Sequence, residues 1–138
     1  MKRIFLWASA VLLVITLTIV ALYCGAVGSS EQAELNLIYR SIAFDVVGQY
    51  VQASGGSWPR SWEDLAATRT ERDGRFLTSK ELGELKDRVQ IRFDIELKDV
   101  LLGGAEKFDA IRSKGYSYHE DNYAIRKFLE NLKRFGDR

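Results

Sequence analysis

An uncharged N-terminal run is the feature that most constrains how this chain can fold. After Lys2 and Arg3, no charged residue occurs from Ile4 to Ser30. At about 1.5 Å of rise per helical residue, residues 4–28 are long enough to cross a hydrocarbon core about 30 Å thick. The run therefore predicts a transmembrane signal-anchor helix that binds the lipid bilayer.

The charges on either side of the run predict its orientation. Lys2 and Arg3 precede it in a cytoplasmic tip, residues 1–3, and the first charges after it are Glu31 and Glu34. The positive-inside rule then predicts a single-pass membrane protein with a cytoplasmic N-terminus. Residues 29–138 form an extracytoplasmic domain, which is periplasmic if the cell is bacterial.

Two other interpretations of the N-terminus differ in what happens to the mature chain. Ala26-Val27-Gly28 offers a small-x-small site for signal peptidase, although the apolar region exceeds the roughly 7–15 residues of a cleaved signal peptide. Cys24 follows Tyr23 rather than a small residue, which argues against a lipoprotein. As the one cysteine, Cys24 also excludes an intrachain disulfide and leaves the redox compartment undetermined.

The charge balance excludes one class of partner. The 138 residues include 20 Lys and Arg against 19 Asp and Glu. A nucleic-acid-binding domain normally concentrates basic residues on one face. The sequence therefore predicts no nucleic-acid partner.

The pattern after Ser30 changes from apolar on all sides to apolar on one side. Over residues 30–53, large apolar residues recur every three or four positions: Leu35, Ile38, Ile42, Val46 and Tyr50. This period is typical of an amphipathic helix. No proline separates it from the apolar run, so one helix is predicted from about residue 4 to residue 53.

A turn rich in special residues follows that helix. Gly55-Gly56 can adopt left-handed conformations that end a helix, and Pro59 fixes its own φ while Ser61 caps the next helix. Trp58 and Trp62 flank this corner, and we interpret them as packing residues that hold two helices together. The alternative is an aromatic platform that binds a small ligand.

Three short segments in the second half predict strands. Residues 89–98, VQIRFDIELK, alternate apolar and polar side chains without a miss, which is typical of a strand with one buried face. Residues 107–112 and 115–119 are predicted as two further short strands around the turn at 113–115. A C-terminal helix is predicted from about Asn122 to Phe135. The predicted fold class is α+β, with the long helix packed on a three-stranded antiparallel sheet.

Candidate catalytic residues are few. Asp94 and Glu96 lie two apart on one predicted strand face, where paired carboxylates could act in a hydrolase. Arg92 and Lys98 flank them, so we interpret the four as a solvated face that neutralises its own charge. With His119 as the one histidine, no metal site or triad is complete. The sequence predicts no enzyme activity, no metal and no cofactor.

One aromatic group remains as a candidate surface. Trp58 and Trp62, together with Tyr116, Tyr118 and His119, are the residues we predict for an interaction or ligand surface. The alternative function is therefore an exported or anchored domain that binds a small ligand through aromatic side chains.

The order of elements resembles the pilin-like proteins, especially the pseudopilins of type II secretion systems. In that family a tyrosine late in a long helix precedes a glycine and an aromatic-proline corner, and the run ends in leucine. Tyr50, Gly55-Gly56, Trp58-Pro59 and Asp64-Leu65 are similar to it. The resemblance covers about residues 4–65 and implies a helix-then-sheet fold with an assembly role.

The N-terminus departs from the pilin-like pattern at two places. Arg3 precedes Ile4, where the family has a glycine or alanine before the peptidase cut. Residues 8–10 are Ala-Ser-Ala, where the family has a glutamate nearby. The expected function is therefore a non-enzymatic, membrane-anchored interaction or assembly role in the cell envelope, with an envelope protein or a second copy as partner, and not a processed pilus subunit.

Overall fold

The computed structural model describes the backbone of residues 2–70, 74–115 and 122–136, and the side chains of 14–21, 30–70, 74–115 and 122–135. Five α-helices, one 3₁₀ helix and two strands follow one another in this part of the chain. In order they are α1 (Lys2–Ala53), α2 (Trp62–Ala66), α3 (Ser79–Arg88), β1 (Val89–Ile91), α4 (Leu97–Gly103), the 3₁₀ helix Ala105–Lys107, β2 (Ile111–Ser113) and α5 (Asn122–Gly136).

The first helix is continuous, as the absence of an internal proline predicts. α1 contains 52 residues. Along its second half one face is fully buried, and this face packs against α3, α5 and β2. The buried apolar residues of that face are Ala33, Ala43, Val46, Val47 and Val51, and the polar Asn36 and Arg40 are also buried on α1.

The prediction of a transmembrane signal anchor over residues 4–28 is not supported. No helix in the described parts of the chain is both long enough and apolar enough to span a bilayer. From Glu31 onward α1 carries charges. The same finding does not support the predicted single-pass location, with a cytoplasmic N-terminus and an extracytoplasmic domain.

The predicted α+β fold with a three-stranded sheet is also wrong. The described residues are mostly helical and contain one two-stranded antiparallel sheet. Val89 pairs with Ser113, and Ile91 pairs with Ile111. The predicted strand 89–98 ends at Ile91, and its last two residues, Leu97 and Lys98, begin α4. The predicted strand 115–119 lies outside the described residues after Gly115.

The segment 107–112 departs from the prediction for a local reason. Residues 105–107 close a 3₁₀ turn after Gly104, whose φ is 63°. The chain therefore becomes extended late, and only Ile111–Ser113 pairs with β1. Phe108 and Ala110 are buried without belonging to the strand.

The C-terminal helix matches its prediction. α5 extends from Asn122 to Gly136. Its buried stripe consists of Ile125, Phe128, Leu129 and Leu132. Phe128 lies beside Gly48 and Phe135 lies beside Gly56, so α5 runs in the same direction as α1. The two parallel helices form one side of the core.

Capping explains where α3 begins. The Thr78 side chain accepts a hydrogen bond from the Glu81 backbone N–H, and the Glu81 carboxylate accepts one from the Thr78 N–H. This reciprocal pair is a capping box.

Candidate functional site

The corner after α1 places Trp58 inside the protein. Its side chain is 5% exposed. The indole Nε1–H donates a hydrogen bond of 2.7 Å to the carbonyl oxygen of Arg92. A buried ring whose polar atom is already bonded offers little surface to a ligand.

Trp62 lies apart from that bond, in a half-buried position on α2. Its ring meets Phe93 edge to face, with centroids 5.4 Å apart. The Lys86 ammonium lies 5.8 Å from the Trp62 centroid, within the range of a cation–π contact. Tyr116, Tyr118 and His119 lie outside the described residues. Within the described chain, the predicted aromatic surface therefore comprises Trp58 and Trp62 alone, and both are engaged in packing.

The turn residues of the corner determine the backbone path between α1 and α2. Gly55 and Gly56 have φ of 70° and 105°, the left-handed region that favours glycine. A Cβ at Gly56 would lie 2.7 Å from the Phe135 carbonyl oxygen. Pro59 is buried, and the Ser61 hydroxyl accepts the hydrogen bond that begins α2. These residues position α2 and let α5 approach the end of α1.

The candidate carboxylates Asp94 and Glu96 are each paired with a neighbouring cation. Arg92 Nε lies 3.5 Å from Asp94 Oδ1, and Lys98 Nζ lies 2.7 Å from Glu96 Oε2. The hydrogen bond from Lys98 lowers the pKa of Glu96, which favours the charged form. Such a carboxylate is poorly suited to donate a proton at neutral pH.

Arg92 also contacts a second carboxylate, that of Asp109. Its Nη1 donates a 2.9 Å hydrogen bond to Asp109 Oδ2, and this bond, followed by that to Asp94, raises the pKa of Arg92. Arg92 therefore links the loop after β1 to the segment before β2. No group of three or more potential metal ligands occurs among the described residues.

A groove between α1 and α5 is a feature that sequence reasoning missed. The α1–α5 groove has a volume of about 400 Å³. Phe44 and Phe128 stack on each other in it with centroids 4.7 Å apart. The exposed cations Lys127 and Arg134 line its α5 side, two helical turns apart. The period of α5 predicts its apolar stripe, but no sequence signal predicts that α5 lies parallel to α1 and leaves this opening.

A second feature is the uncovered apolar segment of α1. Every residue from 14 to 21 is exposed. Eight consecutive residues cover all sides of a helix, since one turn takes 3.6 residues. The segment, called here the exposed α1 segment, is therefore exposed on every side of the helix. Its large apolar residues are Val14, Ile15, Leu17, Ile19 and Val20.

Comparison with known proteins gives no relative. No protein-family model, no curated protein and no solved structure matches this chain. The resemblance to pilin-like proteins therefore stays a prediction from Tyr50, the Gly55-Gly56 turn and the Trp58-Pro59 corner.

Proposed function

We propose that this protein is a non-enzymatic assembly protein that associates with further copies of itself through helix α1. This is the kind of role that a resemblance to pilin-like proteins implies. The observation that carries the proposal is the exposed α1 segment. Its five large apolar side chains are between 51% and 61% exposed, and a contiguous apolar surface of this kind marks an interaction site.

The chemistry of the segment favours an apolar helix as its partner. Residues 14–21 contain no charged side chain. The Thr18 hydroxyl donates a 2.8 Å hydrogen bond to the Val14 carbonyl of its own helix, so its donor is already used. The segment therefore offers apolar contact and no polar group that would select a charged partner. The same segment of a second copy has the matching surface.

The ion pairs of the two candidate carboxylates fit a non-enzymatic role. Asp94 and Glu96 are held by Arg92 and Lys98. General acid catalysis needs a carboxyl whose pKa is raised towards the working pH, and the hydrogen bond from Lys98 moves the pKa of Glu96 in the opposite direction.

Sedimentation of the full chain tests the proposal. The wild-type chain is expected to form oligomers, and Leu17→Glu to shift them to monomers, because a carboxylate in an apolar helix contact is left without a partner. Leu102→Glu is the matched control, since Leu102 is 83% exposed on α4. A monomeric wild-type chain, or a Leu17→Glu chain that stays oligomeric, would overturn the proposal.

A further inference from the structure

We infer that the α1–α5 groove of one copy receives an acidic stripe on α1 of a second copy. The acidic stripe is defined by the glutamates Glu31 and Glu34 together with Ile38, the apolar residue that follows them on α1. This inference rests on the proposed self-association and names a second contact surface for it.

The groove side of the contact is basic with an apolar floor. Lys127 and Arg134 are exposed at its α5 edge, and Asp45 is the one carboxylate among the described residues that line it. Within the described chain neither Lys127 nor Arg134 forms an ion pair. Phe128 on the floor is buried and packs edge-on against Phe108, with centroids 5.9 Å apart. The rim thus attracts an acidic helix and the floor accepts an apolar side chain.

The stripe side has the complementary pattern. Glu31, Glu34 and Ile38 follow one another at spacings of three and four residues, so they share one face of α1. Both glutamates are exposed, and the part of the chain that the structure describes gives neither of them an ion pair. Ile38 is 47% exposed, at the edge of the apolar stripe of α1.

The groove has room for that isoleucine between its two cations. Gly48 lies on the α1 wall, and a Cβ added there would meet only Phe128 Cε2 within 4 Å, at 3.8 Å. Binding of a helix in a groove through an apolar side chain is a common mode of peptide recognition. Here the acidic residues of the helix would face the basic α5 edge. The charge pairs at the rim would set register and partner choice more than affinity.

The two surfaces cannot meet within one copy. The stripe lies on α1 before residue 41, and the groove begins on α1 at Ser41. Contact between the two surfaces therefore requires a second copy that is displaced along the helix axis. Such a contact is heterologous, because each copy uses a different surface from its neighbour. Each copy then has one acidic stripe and one α1–α5 groove, so it can contact two neighbouring copies.

Charge reversal on each side provides the test. Glu31→Lys with Glu34→Lys gives a chain whose stripe and groove are both basic, and Lys127→Glu with Arg134→Glu gives one in which both are acidic. Each variant alone is expected to associate more weakly than the wild type by roughly tenfold or more. An equimolar mixture of the two is expected to associate again, because opposite charges then face each other at both contacts. Sedimentation of each sample, with far-ultraviolet circular dichroism to verify folding, measures this.

A matched control reverses the same number of charges on another face of α5. Arg126 and Lys133 are exposed beside a separate depression next to α4, so Arg126→Glu with Lys133→Glu is expected to associate like the wild type. If that control weakens association equally, or if the mixture of reversed variants stays apart, the groove is not the docking site and the inference is wrong.

The outcomes also separate this inference from the proposed function. If Leu17→Glu abolishes association while both charge reversals leave it unchanged, the exposed α1 segment acts alone and only the groove contact is refuted. If the wild-type chain is monomeric, the proposed function fails, and the groove contact fails with it.

Discussion

The indole of Trp58 donates its Nε1–H to the backbone carbonyl of Arg92 across 2.7 Å. Trp58 belongs to the corner after α1, and Arg92 is the first residue after β1. The Arg92 N–H donates in turn to the Ala110 carbonyl at 2.9 Å, which is the last rung between the two β segments. The Trp58 side chain therefore donates a hydrogen bond to the carbonyl oxygen of the residue at which the ladder ends.

The first prediction concerns this hydrogen bond. Trp58→Phe keeps an aromatic ring in the site but removes the donor, and leaves the Arg92 carbonyl without its indole partner. We expect the free energy of unfolding to fall by about 1–2 kcal/mol, with some further loss from the smaller ring. Urea unfolding followed by circular dichroism measures the change.

Trp62→Phe is the control for that substitution. The Trp62 ring is half-buried, meets Phe93 edge to face and lies beside the Lys86 ammonium, so a phenylalanine retains both types of contact. We expect it to cost clearly less than Trp58→Phe. Equal losses would show that ring size, and not the bond to Arg92, determines the effect.

In residues 89–98 the sequence predicts which side chains are buried better than it predicts the secondary structure of the backbone. In residues 89–98 the apolar set is buried or half-buried: Val89, Ile91, Phe93, Ile95 and Leu97. The period of two therefore identifies the inward side chains correctly. It cannot identify a strand, because a ladder needs a partner and the Arg92 carbonyl bonds to an indole from a distant segment. That contact depends on how the corner packs.

The same limit applies to the interaction surfaces. The spacing of Leu35, Ile38 and Ile42 predicts an amphipathic helix, and α1 is helical there. Yet Ile38 is exposed, since helical period alone does not tell which edge of a stripe the domain covers. The α1–α5 groove depends on the relative direction of two helices far apart in sequence. No local pattern in either helix contains that information.

A second prediction uses the close approach at the end of α1. Gly56→Ala places a Cβ 2.7 Å from the Phe135 carbonyl oxygen at a backbone φ of 105°. Gly55→Ala is the control, because Gly55 also has a positive φ, 70°, but has nothing within 4 Å of an added Cβ. We expect Gly55→Ala to cost about 1–2 kcal/mol and Gly56→Ala to cost more. Thermal unfolding of both variants measures this, and a smaller loss for Gly56→Ala would contradict the packing of α5 against the corner.

A third prediction concerns a helical glycine that needs no special conformation. Gly48 lies inside α1, and an added Cβ would make an ordinary contact of 3.8 Å with Phe128. Gly48→Ala should therefore stabilise the fold by about 0.5–1 kcal/mol through helix propensity. Gly83→Ala in α3, where nothing lies within 4 Å, is the matched control and should give a similar gain. A loss for Gly48→Ala beside a gain for Gly83→Ala would show that the groove wall is tighter than described.

The last prediction concerns the acid side of the stability profile. The Glu81 carboxylate accepts hydrogen bonds from Arg75 at 2.6 and 2.8 Å. These bonds, followed by those from the Thr78 backbone and hydroxyl, hold the pKa of Glu81 far below its ordinary value of 4.5. The folded state therefore releases this proton more readily than the unfolded state. The resulting stabilisation is fully present above about pH 4.5 and declines as the pH falls towards the folded-state pKa.

Glu81→Gln separates that effect from the capping geometry, because glutamine also completes a capping box. We expect the wild type to be more stable than the variant at pH 7, by a small amount since the pair is exposed to solvent, and the gap to narrow at pH 3. Glu106→Gln on the 3₁₀ helix is the control for removing one surface carboxylate. Urea unfolding at both pH values measures the gap, and a gap that stays constant or widens on acidification would contradict the assignment of the lowered pKa to the Arg75 and Thr78 bonds.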